Sequence, residues 1–123
     1  MIRISFCLRR REGMSREEFQ RYWREEHAPL VARHAEILRI RRYVQMHTID
    51  DPRLLPIAAA RGCEDEPYDG IAEIWFDSAD DMLASGGSAD ARAAGMALLE
   101  DEGKFIDLAR SPLFFSEANE VIA

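Results

Sequence analysis

Between Met14 and His47 the chain passes from a four-residue repeat to a two-residue repeat, and that change limits the folds open to it. In MSREEFQRYWREEHAPLVARHAEILRIRRYVQMH, Phe19, Trp23 and His27 fall four apart and share one face of a helix. Further on, Tyr43, Gln45 and His47 alternate with Val44 and Met46, so the first three share one face of a strand. Two histidines, a tyrosine and an amide are thereby set to converge on one partly apolar space. These are groups suited to acid/base work, without the spacing of a metal site or a phosphate loop.

The flanking segments place this unit in a sheet. Residues 2–9 alternate Ile2, Ile4, Phe6 and Leu8 with Arg3, Ser5, Cys7 and Arg9, which predicts a strand. Ser15 with Glu18 three residues on forms a capping box ahead of the helix. Pro29 either ends that helix near Glu26 or restarts it from Ala28 to Ala35, with His27 at the break. A second strand is expected from Leu38 to Ile49. Residues 50–68 follow as a long connection in which Leu54 to Ala60 can hold a helical turn. Asp69-Gly70 opens a third strand over Ile71–Phe76. Asp77-Ser78 caps a helix interrupted at Gly86-Gly87-Ser88, and a last helical turn takes in Phe105 and Ile106. Leu113–Glu117 forms a short final strand after Pro112.

The order β-α-β-β-α-β is that of the ferredoxin-like α+β sandwich, with both helices on one face of an antiparallel sheet. The other face, carrying Val44 and Met46, is left apolar and uncovered, and a second copy of the chain is the economical cover. At 123 residues the chain makes one domain spanning 1–123. Its net charge of −7 argues against a nucleic-acid partner. No apolar run approaches the roughly 20 residues of a membrane span, and the start MIRISFCLRRREG lacks the pattern of a signal peptide, so the expected location is cytoplasmic. Arg9, Arg10 and Arg11, with Arg39, Arg41 and Arg42, are expected to be solvated or paired with carboxylates. Cys7 reads as core and Cys63 as a poorly nucleophilic loop thiol beside Glu64, Asp65 and Glu66, with no disulfide.

Four stretches together resemble the EthD family of dimeric α+β barrel proteins: MSREEFQRYWREEHAPL, RYVQMH, DGIAEIWF and LARSPLFFSE. The resemblance covers nearly the whole chain. It implies a homodimer with sheets packed face to face and a pocket between each sheet and its own helices. Members of the wider superfamily include isomerases, cyclases, decarboxylases, quinol-forming monooxygenases and haem-degrading enzymes. One related isomerase uses a cysteine on the third strand, where this chain has Ile74.

His27, Tyr43 and His47 are the candidate catalytic residues, with Trp23, Gln45, Ile74, Phe76 and Glu73 as candidate substrate-binding residues. An imidazole half-buried beside Trp23 suits proton transfer near neutrality, and Tyr43 and His47 can hold developing negative charge. The orientation of the third strand is open. If Ala72, Ile74 and Phe76 face the pocket, Glu73 points toward the dimer interior and pairs with an arginine such as Arg42. In the opposite orientation Glu73 and Trp75 enter the pocket and Glu73 is a candidate base. His34 falls one turn past Leu30, and no HxH or HxxxH pair occurs, so no metal is expected. The expected function is a cofactor-independent enzyme that isomerises, cyclises, dehydrates or decarboxylates a ring-bearing or aromatic metabolite. The alternatives are a non-catalytic ligand-binding or accessory protein of an oxidative catabolic pathway, and a haem- or quinol-type monooxygenase.

Overall fold

Strand β1 (Ile2–Leu8) lies inside a four-stranded sheet because both its edges are paired in antiparallel fashion, to β3 (Gly70–Phe76) and to β4 (Leu113–Ser116). Strand β2 (Arg42–His47) adds antiparallel to β3, giving the order β2-β3-β1-β4. This is the antiparallel α+β sheet of the ferredoxin-like fold. The computed structural model describes all 123 residues, except for the side chain of Ser85.

The pairing register settles the faces. Ile4 stands opposite Ile74, Phe6 opposite Ala72 and Leu8 opposite Gly70, while Tyr43, Gln45 and His47 stand opposite Ile74, Ala72 and Gly70. Phe6, Leu8 and Ala72 belong to the core with Phe19, Trp23, Phe105 and Ile106, so this row faces the helices. Ala72, Ile74 and Phe76 therefore face inward, and Glu73 lies on the other face. There it meets Arg3 Nη1 at 3.6 Å, whereas Arg42 stacks on Trp75 with its guanidinium 4.7 Å from the ring centroid. Glu73 thus stands outside the helix-facing row, and its partner is Arg3 rather than Arg42.

The first helical run does not stop at Pro29. Helix α1 (Arg16–Tyr22) continues into a π-helical turn (Trp23–His27) and then α2 (Ala28–His34). Proline lacks an N–H and clashes with the carbonyl four residues back in a regular helix. The wider turn, in which the Ala28 N–H reaches the Trp23 carbonyl, accommodates it near the start of α2. Ser15 caps the run by accepting from the Glu18 N–H at 3.0 Å, and its hydroxyl donates to the Glu18 carboxylate.

Strand β2 starts later than the alternation suggests. Leu38 donates to the His34 carbonyl and Ile40 to that of Ala35, so the end of the helix consumes the first residues of the expected strand. Residues 50–68 hold a 3₁₀ turn (Pro52–Leu54) and helix α3 (Leu55–Ala59), with Leu55 and Ile57 exposed. Helix α4 (Ala79–Leu83) is capped by Ser78, and α5 (Ala89–Glu102) by Ser88 after a 3₁₀ turn at Ala84–Gly87. Phe105 and Ile106 close a last turn after α5, both donating to the Glu102 carbonyl, and Ile106 also bridges to Arg10. Arg10 and Arg16 converge on the buried Asp69, and Arg39 and Arg41 pair with Asp81 and Asp77. Both cysteines are free, Cys7 buried and Cys63 exposed. Among the described residues no helix is long and apolar enough to cross a membrane.

Gly70 is where sheet and helix approach most closely. A Cβ there would lie 2.5 Å from the Trp23 ring and 2.6 Å from the Met46 carbonyl oxygen. Gly70→Ala is expected to lower the unfolding free energy by about 1–3 kcal/mol. Gly95→Ala, inside α5 with nothing within 4 Å of the added methyl, should raise it by about 0.5–1 kcal/mol. Urea denaturation of the two variants beside wild type checks both signs.

Candidate active site

Four elements supply the site. The π-helical turn gives Trp23 and His27, β2 gives Tyr43, Gln45 and His47, β3 gives Ile74, and the end of α5 gives Asp101 and Glu102.

A hydrogen-bonded chain runs along β2. Trp23 Nε1 donates to the Tyr43 hydroxyl oxygen at 3.1 Å, and Gln45 Nε2 donates to the Trp23 carbonyl at 2.8 Å and to the same Tyr43 oxygen at 3.2 Å. His47 Nε2 lies 2.8 Å from Gln45 Oε1. The polarity follows from the Trp23 carbonyl, which can only accept, so Gln45 turns its amide nitrogen there and its oxygen to His47. His47 therefore carries its proton on Nε2 and leaves Nδ1, buried without a partner, as a bare lone pair. Burial, aided by Arg24, holds the His47 pKa below its ordinary value and favours this neutral form. The Tyr43 oxygen already accepts two N–H bonds, and among the described residues its own proton has no acceptor. Burial raises the Tyr43 pKa despite those two donors, so the phenol stays protonated.

His27 belongs to a second network. Its Nδ1 lies 2.7 Å from Asp101 Oδ2, and Tyr22 donates to Asp101 Oδ1 at 2.6 Å. Both His27 and Asp101 are buried. Burial pushes the Asp101 carboxyl up, but the hydrogen bonds from Tyr22 and His27 outweigh it and hold the group ionised. For His27, burial outweighs Asp101 and lowers the pKa, giving a neutral imidazole near pH 7. With Nδ1–H directed at Asp101, Nε2 is the basic atom. Glu102 is the most displaced carboxyl, pushed up to about 7 by burial and by the charge on Asp101.

The two networks meet at one cavity of about 40 Å³ lined by His27, Tyr43, Glu102, Trp23, Ile74 and Leu98 with further core side chains. That volume suits one or two waters rather than a ring. A larger apolar groove, about 490 Å³, lies at Ile2, Met82, Leu83 and Phe115, but no imidazole or phenol reaches it. Of the residues singled out from sequence, His27, Tyr43, Trp23 and Ile74 line the cavity. Gln45 and His47 stand behind Tyr43, His47 stacked on Trp23 at 4.5 Å. Phe76 is buried on the same sheet face but away from the cavity, and Glu73 is on the opposite face. Among the described residues, no three His, Cys, Asp or Glu side chains cluster as a metal site would require.

Asp101 and Glu102 were not singled out by motif. One signal did exist: Glu100, Asp101 and Glu102 crowd the C-terminal turn of α5, which has no basic residue. A helix dipole disfavours anions there, so such a cluster requires partners elsewhere.

The Glu102 shift has a sign that can be checked. The native state holds the Glu102 proton more tightly than the unfolded chain, so this group's contribution to stability is full below about 4.5 and lost as pH rises through about 7. Glu102→Gln removes that slope. The variant is expected to gain about 1–3 kcal/mol relative to wild type on going from pH 4.5 to pH 8, read from paired denaturation curves.

Comparison with known proteins agrees with this fold. The EthD domain model matches residues 11–109. An ethyl tert-butyl ether D family protein from Bacillus halodurans superposes with a TM-score of 0.63 at 16% identity, over 97% of this chain and 99% of the other. An EthD-like protein from Ralstonia eutropha gives 0.60 at 17% identity, over 94% and 89%. A dimeric protein of unknown function and ferredoxin-like fold from Bacteroides fragilis gives 0.58 at 14% identity, over 95% of both chains. At these identities the likeness shows the fold alone. No curated protein matches the sequence. With the family model spanning the helical run, the middle strands and α5, the chain belongs to the EthD family.

Proposed function

We propose that this protein is an enzyme that moves a proton on a carbon next to a carbonyl group of a ring-bearing metabolite, without a cofactor. One observation carries this reading: a buried imidazole fixed by Asp101 and a phenol with an uncommitted proton line the same water-sized cavity. His27 Nε2 takes the proton from the α-carbon, and the C–H electron pair moves into the adjacent C–C bond while the carbonyl pair moves onto oxygen. The enolate oxygen accepts the Tyr43 hydrogen bond. In a β,γ-unsaturated ketone the enolate is conjugated, and the imidazolium, stabilised by Asp101, returns the proton at the γ-carbon and completes an isomerisation. Cyclisation and dehydration pass through the same enolate. Gln45 and His47 act through Tyr43 as positioning residues, since their bonds fix where the phenol oxygen sits.

A ring needs a site of hundreds of Å³, so the cavity has to widen for a substrate to enter. A non-catalytic binding protein of the same fold uses the same cavity but leaves its ligand unchanged, and turnover separates the two.

A homodimer is part of this reading. The sheet face away from the helices presents Val44, Met46, Ile71, Trp75 and Phe114, with Met46 50% and Phe114 51% exposed. An apolar sheet face of that kind is covered most simply by its own copy. The Bacteroides fragilis protein of this fold is described as dimeric.

Deuterium incorporation into enolisable cyclic ketones in D₂O, followed by NMR, tests the chemistry. His27→Ala and Asp101→Asn are expected to lose at least about 10²-fold in rate, and Tyr43→Phe a similar amount. Full exchange in a folded His27→Ala protein would sink the role of His27. Sedimentation equilibrium tests the assembly: wild type should run at twice the 14.1 kDa chain mass, and Met46→Glu with Val44→Asp should bring it to the monomer. A monomeric wild type would remove the dimer.

A further inference from the structure

The walls of the His27 cavity are chemically one-sided. The titratable side chains that line it are His27, Tyr43 and Glu102, and none is a cation at neutral pH. Asp101, held ionised, stands directly behind His27. The remaining wall is apolar, with Phe6, Ile74 and Leu98 among it.

No cation lines this cavity: Arg24, whose charge reaches His47, stands outside its wall, and other arginines are paired elsewhere. Arg10 and Arg16 meet at Asp69, Arg39 and Arg41 pair with Asp81 and Asp77, and Arg42 stacks on Trp75 across the sheet. Lys104 meets Asp101 Oδ1 at 3.6 Å with its side chain 61% exposed, and it does not line the cavity.

We infer that this cavity takes a substrate whose reacting end is an uncharged carbonyl, and that Glu102 is the specificity-determining residue that turns carboxylates away. The inference rests on the proton-transfer reading and narrows its substrate class. A carboxylate or phosphate entering here loses its hydration shell and finds no counter-cation, with Asp101 and Glu102 as its nearest charges. A ketone loses little on desolvation. Its oxygen accepts from Tyr43 and its α-hydrogen faces the imidazole. The apolar wall takes the hydrocarbon ring.

Titration of the full-length protein at pH 8 with 2-tetralone and with 2-naphthoate, two-ring compounds that differ in charge, tests this. Binding is followed at the Trp23 indole N–H by NMR, identified with a Trp75→Phe variant. Wild type should bind 2-tetralone at least about tenfold tighter than 2-naphthoate. Glu102→Gln should narrow that ratio by strengthening 2-naphthoate, and Glu102→Asp should restore it. Equal or tighter binding of 2-naphthoate by wild type, or no change of the ratio in Glu102→Gln, overturns the inference.

Deuterium exchange of 2-tetralone in the same samples separates this result from the underlying reading. Exchange without discrimination overturns the specificity and leaves proton transfer standing. Discrimination without exchange does the reverse. A Trp23 signal that moves with neither compound overturns both.

Discussion

The placement of Trp23 is the contact on which the rest depends. Its indole lies against Gly70 and leaves no room for a Cβ there, and it packs with Phe19 and the His47 ring. Its N–H holds the Tyr43 oxygen, and its carbonyl accepts both the Ala28 N–H of the π-helical turn and the Gln45 amide. One residue thus sets the spacing of helix and sheet, the widened helical turn before Pro29, and the donor polarity of the whole β2 row. At 1% exposed it also contributes about 2–3 kcal/mol of apolar burial, so position and stability are secured by the same side chain.

Function enters where the structure leaves polar groups inside this framework. The π-helical turn keeps His27 buried on the side of Phe19 and Trp23, and α5 brings Asp101 to it from 74 residues further along the chain. Asp101 is satisfied by Tyr22 and His27 together, which is why a carboxylate can persist there. Glu102, next in sequence, has no such donors, and its carboxyl is pushed up to about 7. Two adjacent acids are therefore shifted in opposite directions by their surroundings, the arrangement that acid/base sites use. The cost falls on α5, whose last turn carries three acids and no basic residue of its own, Lys104 just beyond it meeting Asp101 at 3.6 Å.

Much of the fold was legible in the sequence because alternation and helical repeat are local. The four strands, the Ser15 and Ser78 caps and the order β-α-β-β-α-β all follow from near neighbours. So did the shared face of Tyr43, Gln45 and His47, since strand pleating fixes it. The start of β2 was misplaced because Leu38 and Ile40, apolar and alternating, serve to close the preceding helix. Phe105 and Ile106 do close a last turn on the Glu102 carbonyl, but the bridge from Ile106 to Arg10 joins residues far apart in sequence.

The sequence by itself determined the fold class, the convergence of a helix face with a strand face, and the histidine at the break before Pro29. The tertiary structure alone decided which face of β3 meets that space, sending Ile74 inward and Glu73 outward, because register between strands is a relation that no single strand contains. It also decided that His27 answers to Asp101 and that His47 reaches Tyr43 only through Gln45. Such pairings join residues tens of positions apart, and only the packed chain brings their atoms within hydrogen-bond reach.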